Sequence, residues 1–297
     1  MLASPLPLSS AAGMETQTTM SQAAEVARGE RFGFGENWAM FLGRLTDERI
    51  EKAQQSLSDM LETKSLAGKS FIDIGSGSGL FSLSARRLGA RVHSFDYDPQ
   101  SVACTAELKR RYFPDDPDWT VEEASVLDRD YLARLGRFDI VYSWGVLHHT
   151  GSQWQALANV ASLVADGGQL FIALYNDQGG QSRRWTRFKR AYLAAPKPGK
   201  MLLLSWAVAK LWGKTIAHDT LKGNPLRSWR GYSDVSRRGM DAWRDMVDWA
   251  GGYPFEVSRP EEILDFYRDK GFELCRMSTC GGGHGCNEFV FRKKAST

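Results

Sequence analysis

The sequence predicts an α/β protein with a mostly parallel sheet and a helical insertion after the fifth strand. Three observations carry that expectation. Short apolar strands alternate with amphipathic helices between residues 66 and 176, the spacing of consecutive βαβ units. The passage FIDIGSGSGLFSLSARRLGA at 71–90 runs from a buried strand through three glycines into a helix. From Asn176 to Ser258 the alternation stops, and the chain turns rich in Trp, Arg and Gly. A structureless loop of that length does not suit a compact domain, so helices are expected there.

Residues 1–22 are rich in Ser, Ala, Thr and Pro without sustained hydrophobic periodicity and are expected to form a disordered tail. Residues 23–65 read as an N-terminal helical arm. Within it, Thr46 followed by DERIEKAQQSLSDML supplies an N-cap, early acids and helical apolar spacing. The preceding FGFGENWAMFL is aromatic and broken by glycine, which suits a flap over a site or a packed arm. Strands are then expected at Ser70–Ile74, Arg91–Phe95, Thr120–Glu123, Phe138–Ser143 and Gly168–Tyr175, with helices at Leu80–Leu88, Pro99–Arg111 and Gln153–Val164. Inside the 177–258 insertion, helical patches fall near 182–194, 200–212 and 240–249. Residues 259–297 begin with a Pro-Glu-Glu helix start at Pro260–Lys270. They finish with strands Phe272–Met277 and Glu288–Arg292 joined by STCGGGHGCN.

Composition narrows the class. The 297 residues are 42% hydrophobic and 25% charged, as in ordinary globular proteins. A net charge of +3 does not by itself argue for nucleic acid. Four cysteines in a chain of this length do not make a disulfide framework, and a reducing cytoplasm is the simpler expectation. No basic segment followed by a long apolar run opens the chain, so a signal peptide is not expected. The most apolar stretch, residues 201–212, is too short to span a bilayer and contains Lys210.

The glycine passage carries the strongest chemistry. A dinucleotide fingerprint places its third glycine three residues after the second, but here that position is Leu80 and the glycines are Gly75, Gly77 and Gly79. Asp73, two residues before the first glycine, would repel a pyrophosphate and suits the cationic end of an amino acid. Asp96 ends the next strand about 20 residues after the loop, where a carboxylate can bond ribose hydroxyls. Asp98, before Pro99, is the better helix cap and leaves Asp96 free for that task.

Together these residues closely resemble the first motifs of class I S-adenosylmethionine (SAM)-dependent methyltransferases. EEASVLD at 122–128, FDIVYSWGVLHHT at 138–150 and VASLVADGGQLFIALYN at 160–176 are similar to their later motifs. The resemblance covers roughly 66–176 and 259–297. It implies a Rossmann-like seven-stranded sheet with helices on both faces and an antiparallel last strand. It also implies S-adenosyl-L-methionine as cofactor, with Asp73, Gly75, Ser76, Gly77, Asp96, Tyr97, Val126, Leu127, Asp128 and Ser143 as cofactor-binding residues. At the adenine, either Asp128 or Ser125 would lend its side chain beside the Val126 amide.

Methyl transfer asks mainly for positioning and exclusion of water, and a hydroxyl acceptor gains from a base near neutral pKa. His148 and His149 follow the fourth strand on the edge where open α/β sheets bind ligands, and His284 sits in the glycine-rich turn. These three are the candidate catalytic residues, and the sequence does not choose among them. Cys280, His284 and Cys286 are acceptable zinc ligands, but a closed site wants four and no second pair lies nearby, so no metal is expected. An acceptor-side loop and a plain flexible hairpin are the other readings of that turn.

WRGY at 229–232 and WAGGYPFEV at 249–257 suit a substrate lid or an irregular packed segment. SRRWTRFKR at 182–190 suits nucleic acid, an anionic small substrate, an interfacial helix together with 200–212, or a solvated face. The expected function is methyl transfer to a hydroxyl or carboxyl oxygen of a small-molecule, sugar or natural-product acceptor in biosynthesis. An Asn/Asp-Pro-Pro-Tyr run, the nitrogen-methylating signature, is missing after strand four. The alternatives are a peptide or RNA methyltransferase and a SAM-binding protein without turnover. Asp73 and the glycine spacing disfavour a nicotinamide oxidoreductase.

Overall fold

The computed structural model describes residues 21–35, 38, 42–43, 45–232 and 242–295. The expected tail at 1–22 therefore lies outside the described residues except for Ser21 and Gln22. Seven strands form one sheet in the order β3-β2-β1-β4-β5-β7-β6. They are β1 Ser70–Ile74, β2 Arg91–Asp96, β3 Trp119–Glu123, β4 Phe138–Trp144, β5 Val164–Tyr175, β6 Phe272–Ser278 and β7 Cys286–Lys293. The first five pair in parallel, and β7 runs antiparallel to both β5 and β6. Strand β5 starts four residues earlier than its apolar pattern suggests, because Val164 pairs with Phe138 ahead of the Gly167–Gly168 irregularity.

The period of two along each strand builds two cores. Phe71, Ile140, Tyr142, Phe171 and Val290 point to one face. There they meet helices α2 (Asp47–Leu61), α3 (Leu80–Arg87) and α4 (Pro99–Tyr112) through Ile50, Leu57, Leu83 and Leu108. Ile72, Ile74, Val141, Leu170, Ile172, Phe289 and Phe291 point to the other face. They pack on α5 (Arg129–Leu135), α6 (Gln153–Ser162) and α11 (Pro260–Arg268) through Leu132, Leu157, Val160, Ile263 and Tyr267. Ahead of these elements, a short helix α1 (Gln22–Ala27) opens the described chain.

Between β5 and α11 the chain folds a third core. Helices α7 (Gly180–Ala194) and α8 (Lys197–Leu221), the turn α9 (Arg227–Arg230) and α10 (Ala242–Gly251) make up this region. Trp185, Tyr192, Leu204, Met246, Ala250 and Phe255 form its buried centre. The two ends of the region meet on the sheet. Ser258 N–H donates to the Tyr175 carbonyl at 3.0 Å, and Asp177 N–H to the Ser258 carbonyl at 3.1 Å.

Lys189, which the sequence places in a basic surface run, is fully buried here. Its ammonium donates to the Trp249 carbonyl and lies over the Trp249 and Phe255 rings. The neighbouring Arg183, Arg184, Arg187 and Arg190 stay exposed, as the helical period dictates for one inward position.

Gly79 starts α3 with φ +80°, and a Cβ there would lie 2.8 Å from the Thr105 backbone. Both the left-handed backbone and the crowding oppose a side chain. Gly79→Ala is expected to lower stability by about 2–4 kcal/mol, read from urea denaturation midpoints.

Candidate active site

A cavity of about 700 Å³ opens at the C-terminal ends of the parallel strands, next to the β1/β4 switch point. Its floor is the loop after β1, and Gly75, Ser76 and Gly77 line it together with Asp73. Gly75 has φ +77°, and a Cβ would fall 2.4 Å from the Val146 side chain, so backbone alone fits between β1 and the segment after β4.

Asp73 lies on the face of β1 that meets α3, and it is buried. Its carboxylate accepts from the Ser82 hydroxyl at 2.5 Å. Ser94 donates to Ser82 at 2.8 Å, and the Trp119 indole donates to Ser94 at 2.9 Å. This chain of buried donors holds the carboxylate at the cavity. Burial pushes the Asp73 pKa up to about 7 against the pull of the Ser82 hydroxyl, and the nearby Asp96 charge adds to the rise.

Asp96, at the end of β2, also lines the cavity. The sequence reading leaves it free of structural duty, but the structure gives it one. One oxygen accepts the Gly77 N–H and the other the Asp98 N–H, each at 2.9 Å. Each oxygen keeps a further lone pair for a ligand hydroxyl. Burial raises the Asp96 pKa to about 6, opposed by those backbone donors. Asp98 caps α4 through Gln100 N–H and also accepts from Gly35 N–H, both at 2.9 Å.

Tyr97, Ser125, Val126 and Leu127 complete this end of the wall. The Asn159 amide holds the Val126 carbonyl at 2.8 Å and fixes that segment against α6.

Two of the expected cofactor residues are not on the cavity wall. Asp128 caps α5, accepting from Tyr131 N–H at 2.9 Å. Ser143 sits on the opposite phase of β4 from Tyr142 and donates its hydroxyl to the Ile74 carbonyl at 2.9 Å. Strand phase and helix capping direct these side chains away, and the ligand edge of β4 is lined by Tyr142, Trp144, Gly145 and Val146 instead.

The three histidines separate. His148 is wholly buried and off the wall, with Nδ1 accepting the Tyr175 N–H at 3.2 Å. His149 lines the cavity at 8% exposure. Its Nδ1 lies 2.6 Å from the Pro254 carbonyl, an acceptor-only partner, so Nδ1 carries the proton and Nε2 is the acceptor of the neutral ring. Phe34 and Tyr175 flank that ring. His284 lines the cavity between Trp185 and Trp249, and burial lowers its pKa, helped by the Lys210 and Lys189 charges.

The glycine-rich turn is pinned to the end of β5. Gln178 donates to the Gly282 carbonyl at 3.0 Å, and Asn287 to the Asn176 side chain at 3.0 Å. Ser278, Thr279, Cys280 and Cys286 also reach the cavity wall. Among the described residues no group of three or more His, Cys, Asp or Glu is arranged to hold a metal ion.

The wider end of the cavity is aromatic. Phe32, Phe34 and Trp38 come from the segment before α2, Trp144 and Tyr175 from the strands, and Trp212, Tyr232 and Trp249 from the inserted region. In the sequence, 32–42 suits a flap or a packed arm, and no local pattern singles out Trp144 or Tyr175. Their position as the last residues of β4 and β5 is the signal that could have found them. Arg31, which no sequence motif marks, donates its guanidinium to the His149 and Thr150 carbonyls at 2.6 and 3.3 Å and so ties the N-terminal segment to the histidine loop.

The sheet order with a reversed β7, the glycine turn after β1 and the acidic ends of β1 and β2 define the class I SAM-dependent methyltransferases. A family model described as "Methyltransferase domain" matches residues 45–210, more than half of the chain, and the chain belongs to that family. A tRNA U34 carboxymethyltransferase of Pseudomonas savastanoi pv. phaseolicola is 36% identical over 109 residues, 36% of this chain and 33% of the relative. A ubiquinone biosynthesis O-methyltransferase of Xanthomonas euvesicatoria pv. vesicatoria is 33% identical over 111 residues, 37% of this chain and 45% of the relative. The chain thus spans a third to under a half of the length of these curated relatives. Among solved structures, a magnesium protoporphyrin IX methyltransferase from Synechocystis PCC 6803 with bound SAH has a TM-score of 0.47 at 15% identity, covering 82% of this chain and 83% of its own.

Asp128→Ala is expected to cost about 1 kcal/mol of stability, the loss of an N-cap, in a chemical denaturation curve. His148→Ala is expected to lower stability by more than that, because a buried ring and the acceptor for Tyr175 N–H go together.

Proposed function

We propose that this chain transfers the methyl group of SAM to an oxygen of a small, largely aromatic or apolar acceptor held at the aromatic end of the cavity. The observation that carries the reading is His149. It stands on the wall of the cavity that begins at the glycine loop, with its tautomer set by the Pro254 carbonyl.

The residues at the narrow end suit the cofactor. The buried Asp73 carboxylate offers a counter-charge for the amino-acid end, Asp96 has lone pairs for ribose hydroxyls, and the 125–127 backbone lies where the adenine would sit. Bound SAM supplies an activated methyl on a sulfonium. The protein's part is to orient the acceptor and exclude water. The Phe34, Trp144, Tyr175 and Trp249 rings give an apolar wall that suits a flat acceptor. His149 Nε2 accepts the proton that a hydroxyl acceptor gives up, and the Pro254 carbonyl stabilises the ring as it becomes charged. Asp128 and Ser143 take no part in this reading. His148 supports the neighbouring β5 end, and His284 shapes the acceptor wall.

Calorimetric titration with S-adenosylhomocysteine tests the cofactor half. Asp73 must ionise to pair with the ligand ammonium, and its pKa stands at about 7 before binding. Pairing lowers that pKa, so binding releases protons near neutrality. Affinity is expected to weaken as pH falls from about 8 to about 6 and to level off above. Asp73→Asn is expected to weaken binding at least about tenfold and flatten this dependence, and undiminished binding by that variant would sink the assignment. An acceptor screen tests the other half. With a hydroxyl acceptor, His149→Ala is expected to lower kcat by roughly a hundredfold or more while leaving homocysteine-product affinity unchanged. Unchanged turnover would remove His149 as the base.

A further inference from the structure

Residues 178–218 contain nine Lys and Arg and not one Asp or Glu, while the whole chain carries only +3. The rest of the protein is therefore net negative, and the positive charge is concentrated on α7 and α8. The helical period brings Arg183, Arg184, Arg187 and Arg190 of α7 to the surface, and Lys197, Lys210 and Lys214 of α8 as well. In the same field α8 exposes large apolar side chains. Leu202 is 74% exposed, Met201 56% and Trp206 49%, and Leu202 and Trp206 lie one turn apart. Lys210, a further turn on, places its ammonium 4.8 Å from the centre of the Trp206 ring. Among the described residues no helix is long and apolar enough to cross a membrane.

Apolar side chains standing in a cationic field match the physical profile of an interfacial helix. The apolar groups enter the acyl boundary, Trp prefers the headgroup level, and Lys and Arg meet anionic headgroups. We infer that the α7–α8 pair docks this protein on the surface of an anionic lipid bilayer. RNA is the less suited partner, because the most exposed apolar groups of the patch, Met201 and Leu202, offer nothing to a phosphate backbone or a base, and Trp206 is a lone exposed ring beside them. Leu211 and Trp212 of the same α8 line the cavity, so docking brings the aromatic end of the cavity close to the bilayer surface. This inference stands apart from the identity of the acceptor.

Sedimentation of the full chain with vesicles tests it. One set contains phosphatidylcholine alone and the other phosphatidylcholine with phosphatidylglycerol. Binding is expected to the anionic set only and to fall as salt rises. Two double variants separate the contributions, Met201→Ser with Leu202→Ser and Lys197→Glu with Lys214→Glu. Each is expected to weaken partition about tenfold or more. Circular dichroism and melting temperature matched to the unaltered chain show that both are folded. Absence of sedimentation with anionic vesicles at low salt overturns the inference. So does partition unchanged in both folded variants, or saturable binding to tRNA by a protein that ignores the vesicles.

Discussion

The site depends on one carboxylate that is not free to move. Asp96 grips Gly77 N–H with one oxygen and Asp98 N–H with the other, so the end of β2 fixes the loop after β1. Asp98 in turn starts α4 and holds Gly35 of the N-terminal segment. Asp96 and Asp98 together thereby tie the floor of the cavity to the N-terminal segment above it. Its neighbour Asp73 is fixed independently, through serines on α3 and β2 and a tryptophan on β3. Both carboxyls are pushed towards neutrality by burial. The cost of keeping them dry is offset by donors within the fold, the Ser82 hydroxyl for Asp73 and the Gly77 and Asp98 N–H groups for Asp96.

The parts of the site that were legible in the sequence are those written into local backbone. Three glycines between a strand and a helix, an acid two residues ahead and another at the next strand end are all set by short-range geometry. The alternation of apolar residues likewise marked every strand of the sheet, because each strand shows its period of two or a continuous buried run. Ser143 and Asp128 escaped correct placement for two different reasons. A one-residue change in strand phase sends a side chain to the other face. A carboxylate before a helix serves the helix first. Lys189 was not legible at all, since a lysine among four arginines gives no sign that it is the one turned inward.

The roof of the cavity joins segments far apart in the chain. Arg31 reaches the carbonyls of His149 and Thr150, Phe32 N–H donates to the Tyr253 carbonyl at 2.9 Å, and Tyr97 donates to Glu25 at 3.2 Å. The N-terminal segment, the loop after β4 and the end of the inserted region thus converge on one histidine. Such long-range closure is invisible to pattern reading, because no local period records which loop will meet which. It also explains why the aromatic run at 32–42 could be read equally well as a flap or as an arm, for Phe32, Phe34 and Trp38 pack and line the cavity at once.

The neck formed by Tyr175, Asp177 and Ser258 has an evolutionary meaning. Because the inserted region leaves and rejoins the sheet at adjacent hydrogen-bonded residues, its ends are already closed whatever lies between them. Loop-closure entropy grows only with the logarithm of length, so residues can be gained, lost or exchanged there at little cost to the sheet. The region also keeps its own buried centre around Trp185. Exchange of this cassette would leave the glycine loop after β1 as it is but would reset the surroundings of His149, whose Nδ1 partner, the Pro254 carbonyl, lies within it.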